Sequence, residues 1–147
     1  MTDQKNISPH PAMASLEPLV GTWRLSGDTS GQVRYEWMEG GFFLLQYVDM
    51  DHDGNHIQGL EVIGHLRLFG EEPSTDIHSR FYSSTGDTLD YVYELQGNTL
   101  TIWGGQRGSP AYYQGMLSAD GMTCTGAWVF PGGGGYSSTM TKVVSEP

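Results

Sequence analysis

Cysteine is almost missing from this chain. Its 147 residues hold one, Cys124, so no internal disulfide can form and the fold must rest on its own core. Cations are scarce as well: seven Lys and Arg stand against seventeen Asp and Glu, a formal charge of −10. Such a surface repels phosphate backbones and anionic lipid, which excludes nucleic acid and membrane surfaces as expected partners. No run approaches the roughly 20 apolar residues of a membrane-spanning helix. The opening Met1-Thr2-Asp3-Gln4-Lys5-Asn6 lacks the basic and apolar regions of a signal peptide, so the cytoplasm is the expected compartment. Dinucleotide and Walker sequences are absent, as is a Gly-x-Ser-x-Gly elbow, and no cofactor is expected.

Glycine and aromatic residues are abundant instead: 21 glycines and 12% aromatics, the mixture of many short strands joined by tight turns. The length fits one domain, with residues 1–10 read as a polar tail and 11–147 as a single β-barrel domain. Met13, Leu16, Leu19 and Val20 recur at helical spacing after Pro11, which predicts a short helix stopped by Gly21. Beyond it the glycines recur every ten to sixteen residues, and Asp53-Gly54-Asn55, Thr85-Gly86-Asp87, Gln96-Gly97-Asn98 and Asp120-Gly121-Met122 supply turn chemistry. About ten strands follow, near 21–29, 32–39, 42–50, 57–68, 75–83, 88–95, 99–104, 111–118, 122–130 and 136–144. Sequential antiparallel strands with hardly any helix favour an all-β, closed up-and-down barrel, because closure removes reactive edges. Ten strands make a wider barrel than eight, so a cavity is expected.

Alternation assigns faces. Leu89, Tyr91, Tyr93 and Leu95 share one side of their strand while Asp90 and Glu94 occupy the other. Phe42 to Val48 is apolar on both sides, which calls for a cover: a second copy in a homodimer, or the N-terminal helix.

The segment from His10 through Leu19-Val20-Gly21-Thr22-Trp23-Arg24 resembles the opening of lipocalin-like (calycin) and nitrobindin-like barrels. In those the Trp packs across the closed end beneath a basic side chain from the last strand, a place that Lys142 matches. The longer stretches Glu36-Trp37-Met38-Glu39-Gly40-Gly41-Phe42-Phe43-Leu44, Gly59 to Gly64, Phe81 to Gly86, Leu100-Thr101-Ile102-Trp103 and Gly126-Ala127-Trp128 resemble an uncharacterised bacterial family of single lipocalin-like domains, the domain of unknown function fifteen seventy-nine. That resemblance implies the fold and no activity. Nitrobindin-like proteins bind heme through a histidine near the C-terminal end, and this chain has none after His78.

Asp49-x-Asp51-x-Asp53-Gly54 starts like a calcium loop, but position twelve is Leu60 and Glu61 comes one residue late, so a solvated acidic hairpin is expected and no metal. His52 and His56 flank Asp53 and read as solvated too. His65, with Glu61 and Ile63 on its face, and His78, with Asp76, Arg80 and Tyr82 on its own, could gather at the barrel as acid or base groups. Ile77 and Phe81 on the opposite face favour an outward direction for Arg80 and Tyr82, but alternation leaves both directions open. His65, His78 and Glu61 are thus the catalytic candidates. Tyr35, Trp37, Tyr91, Tyr93, Trp103, Tyr113 and Trp128, with Arg80 at a polar end, are the ligand-binding candidates. The expected partner is a small apolar or aromatic molecule, bound in the cavity. A cofactor-free isomerase, cyclase or hydrolase using that cavity is the alternative, and a homodimeric domain with a filled core the third.

Overall fold

The computed structural model describes residues 8–144. A 3-10 helix, Pro11–Leu19, precedes ten strands: β1 (Gly21–Gly27), β2 (Thr29–Trp37), β3 (Phe43–His52), β4 (Asn55–His65), β5 (Ile77–Ser83), β6 (Thr88–Gln96), β7 (Thr99–Gly104), β8 (Tyr112–Leu117), β9 (Thr123–Val129) and β10 (Tyr136–Lys142). Each strand pairs antiparallel with the next, and β1 pairs with β10, closing the barrel. All ten expected strands form, and closure leaves each strand with a paired neighbour on both sides.

The helix is 3-10 rather than α. Met13, Leu16 and Leu19, its buried residues, are three apart, which matches three residues per turn and keeps one apolar edge on the barrel. Pro11 starts it, and the His10 ring accepts the Ala12 amide at 3.0 Å as its cap. Of the expected 1–10 tail, residues 1–7 lie outside the described residues, while His10, though exposed, stacks its ring on His65 with centroids 4.3 Å apart.

The helix plugs one end of the barrel. Trp23 is fully buried there, its indole N–H donates to the Leu19 carbonyl at 2.8 Å, and the Lys142 ammonium sits 4.9 Å from the ring centroid. One buried side chain of this kind contributes about 1.5–3 kcal/mol, so Met13, Leu16, Leu19 and Trp23 fasten the plug firmly. Leu44, Ile63, Ile77, Leu117 and Cys124 fill the half of the interior next to it.

Three boundaries differ from expectation. The first hairpin turns at Asp28, so Gly31 lies inside β2. A Cβ on Gly31 would come within 2.3 Å of the Asp49 carbonyl oxygen, which makes this glycine a site of close backbone approach instead of a turn. β4 ends at His65, leaving Leu66, Leu68 and Phe69 exposed on the following loop. The helix does not cover the outer face of β3. Phe43 instead lies over Gly64, where a Cβ would meet its ring at 2.4 Å, and the Arg34 guanidinium covers Tyr47 at 4.3 Å.

Candidate functional site

The half of the barrel away from the helix is open. A cavity of about 270 Å³ occupies it, between the buried core and the mouth formed by the β3–β4 hairpin and the 130–135 loop. This is close to the lower end of the usual range for ligand pockets.

Strand phase explains the lining. Side chains alternate, so Tyr35 in phase with Val33, Tyr91 and Tyr93 in phase with Leu95, and Tyr113 and Trp128 on β8 and β9 all enter the cavity. Trp128 is the hub of the aromatic wall, 5.7 Å from both Tyr91 and Tyr113 and stacked on Phe130 at 5.9 Å. Tyr113 reaches its place because Gly115 and Gly126, directly paired across β8 and β9, leave a hollow: a Cβ on either would come within 2.7 Å of its ring or hydroxyl.

One carboxyl lies in this lining. Glu61 is 2% exposed and no cation accompanies it. Tyr93 donates to its Oε1 at 2.7 Å, Gln46 donates to the same oxygen, and Ser79 donates to Oε2 at 2.6 Å. Burial raises the Glu61 carboxyl above its ordinary value, while those three donors oppose the rise. Burial and the Glu61 charge in turn push Tyr35, Tyr91 and Tyr93 upward.

The other candidates stand elsewhere. His65 points inward but at the closed end, below the cavity. Its Nδ1 lies 2.7 Å from the Ser74 carbonyl, which can only accept, so that nitrogen carries the proton and Nε2 is a buried acceptor without a partner. Burial and the neighbouring His10 and His78 hold its ring below the usual imidazole value. Glu61 accepts from Gln46, Tyr93 and Ser79, and His65 takes no part, so the two form no acid–base pair. His78 and Arg80 face outward, opposite in phase to Ser79. Arg80 is held by Asp90 in a two-point ion pair at 2.6 and 3.0 Å, which lowers the Asp90 carboxyl. Facing outward, Arg80 lies outside the cavity lining and supplies no polar end to it. Trp103 also faces out, beneath the Arg107 guanidinium at 4.8 Å, because Leu100 and Ile102 take the inward phase of β7. Trp37 has the inward phase but lies at the helix end, where its indole donates to Glu17 at 2.8 Å.

Sequence reasoning missed Gln46 and Ser79. The signal was present: Gln46 is in phase with Leu44 and Val48, Ser79 with Ile77 and Phe81, and a polar residue on an apolar face implies a buried partner.

The acidic segment forms a plain hairpin. Asp53 and Gly54 both take positive φ, 53° and 78°, as a two-residue turn between paired His52 and Asn55 requires. His56 bridges Asp51 at 2.9 Å and Asp49 at 3.2 Å, and Asp51 raises its imidazole above the ordinary value. Among the described residues no three His, Cys, Asp or Glu side chains gather as a metal site would need. Cys124 is buried beside the Tyr113 hydroxyl, and burial pushes its thiol up. Among the described residues no helix is long and apolar enough to cross a membrane.

No family model matches the chain, and no curated protein shows significant similarity to it. Its architecture, a closed ten-stranded antiparallel barrel with a helix under one end, is consistent with a calycin-like fold.

Proposed function

We propose that this barrel binds one compact, mainly apolar or aromatic small molecule in its open half. The carrying observation is the asymmetric filling of the interior. One half is packed with Leu, Ile and the Trp23 plug, while the other keeps about 270 Å³ lined by Tyr35, Tyr91, Tyr93, Tyr113 and Trp128. A barrel selected only for stability gains from filling that space, since a void forfeits dispersion contacts. Rigid rings provide contact area at small entropy cost, and the Glu61 carboxyl can orient the occupant.

Binding is favoured over acid–base catalysis by the position of the histidines. His65 lies under the cavity and His78 outside the barrel, which leaves Glu61 without a catalytic partner. The Trp23–Lys142 closure supports the calycin likeness; the further reading, that the chain is one of the bacterial lipocalin-like domains of the domain of unknown function fifteen seventy-nine, rests on the sequence stretches from Glu36 to Trp128.

Native mass spectrometry of the purified protein beside a denatured sample tests the proposal, followed by calorimetry with 3-phenylpropanol as a neutral probe. An adduct lost on denaturation, or saturable binding of the probe, is the expected result. A clean apo mass together with no binding at millimolar probe would overturn it.

A further inference from the structure

The chemistry of the lining narrows the ligand class, taking the binding function above as its premise. We propose that the cavity is built for a molecule carrying a protonated amine on a compact apolar or aromatic body, with Glu61 as its counter-charge.

Three observations converge. Among the described residues no lysine, arginine or histidine lines the cavity, and Glu61 is its one acidic residue. A ligand with a carboxylate or phosphate head would therefore bury its negative charge with no described cation to pair it, a cost of several kcal/mol. The second observation is the count of acceptor sites on Glu61. An ionised carboxyl offers about four, and Tyr93, Gln46 and Ser79 occupy three, with two donors on Oε1 and one on Oε2. Among the described residues none donates to the site left on Oε2, so an N–H from an occupant completes the set of the ionised carboxyl. The third is the wall: Tyr91, Tyr113 and Trp128 line the same space, and aromatic rings attract a cation as well as an apolar body. The chain's charge of −10 also steers cations toward it.

Proton balance follows. Burial shifts Glu61 toward its neutral form, and pairing with an ammonium ion shifts it back: wherever the acid is protonated, its O–H breaks, the proton leaves to buffer, and the carboxylate accepts the N–H. Among the described residues the groups facing Glu61 are Gln46 from β3, Ser79 from β5, Tyr35 from β2, and Tyr91 and Tyr93 from β6. The first two do not titrate and the tyrosines are pushed upward, so Glu61 is the group whose charge the ligand meets.

Calorimetry with three probes of one shape decides the matter: 3-phenylpropylamine, 3-phenylpropanol and 3-phenylpropanoate. At neutral pH the amine is expected to bind at least tenfold more tightly than the alcohol, and the carboxylate most weakly. Glu61→Gln should abolish the amine's advantage over the alcohol. For the wild type, lowering the pH until Glu61 protonates should weaken amine binding and leave the amine's advantage over the alcohol lost, and raising it again should restore that advantage. This wild-type comparison stands even if the variant fails to fold. Equal or tighter binding of the alcohol or carboxylate would overturn the amine assignment and leave the binding function intact. Absence of binding by all three would overturn both.

Discussion

Removing the Ser79 hydroxyl is the sharpest perturbation of the buried carboxyl. Ser79 is 6% exposed and, among the described residues, the one donor to Glu61 Oε2, at 2.6 Å. Ser79→Ala deletes a single atom and leaves the strand unchanged. A hydrogen bond between neutral groups contributes about 0.5–1.5 kcal/mol, and one to an ionised carboxylate about 1.5–3 kcal/mol. The loss should therefore be near the lower range in acid and near the upper one where Glu61 is ionised. Glu61 has a folded pKa above its unfolded value, so its contribution to stability is full below the unfolded pKa. It declines as pH rises from there through the folded value, with a slope limited to about 1.4 kcal/mol per pH unit for one proton. Ser79 lowers the folded pKa, and its removal prolongs that decline to higher pH. Urea unfolding of wild type and variant from pH 4 to 8, with the m-value checked for constancy, measures the difference. Glu61→Gln should remove most of the wild type's decline, and the double variant should be non-additive because the two side chains share one bond. A Ser79→Ala loss that is constant with pH, or larger in acid, would refute the reasoning.

Three further outcomes follow from the geometry. Trp23→Leu should cost about 2–4 kcal/mol in urea unfolding, since it removes ring volume, the bond to Leu19 and the Lys142 contact together. Gly126→Ala should destabilise by about 1–3 kcal/mol or more, because a Cβ there meets the Gln114 carbonyl oxygen at 2.4 Å and Gly115 Cα at 2.6 Å; a variant as stable as wild type would disprove the hollow beneath Tyr113. His56 should titrate by NMR above the usual imidazole value and move down in Asp51→Asn; the pair's small contribution is present below the unfolded pKa and fades as pH rises through the folded one.

The sequence by itself determined the barrel. Glycine punctuation and turn dipeptides separate ten segments, and short antiparallel connections leave little choice of neighbour, so local chemistry dictated strand number and order. Alternation also placed Tyr91 and Tyr93 inside, because phase within one strand is a local property. The site was legible only in part. Trp37 and Tyr35 share a phase, yet one sits at the helix and the other in the cavity, since height along the axis depends on stagger between strands and on which end the helix plugs. His65 and Glu61 likewise share a face, but four residues of extended chain keep them apart. Glu61's partners come from β3, β5 and β6, separated from it by 15, 18 and 32 positions. Only closure of the sheet brings such distant residues around one carboxyl, and only the packing of the plugged half decides that the open half remains a cavity.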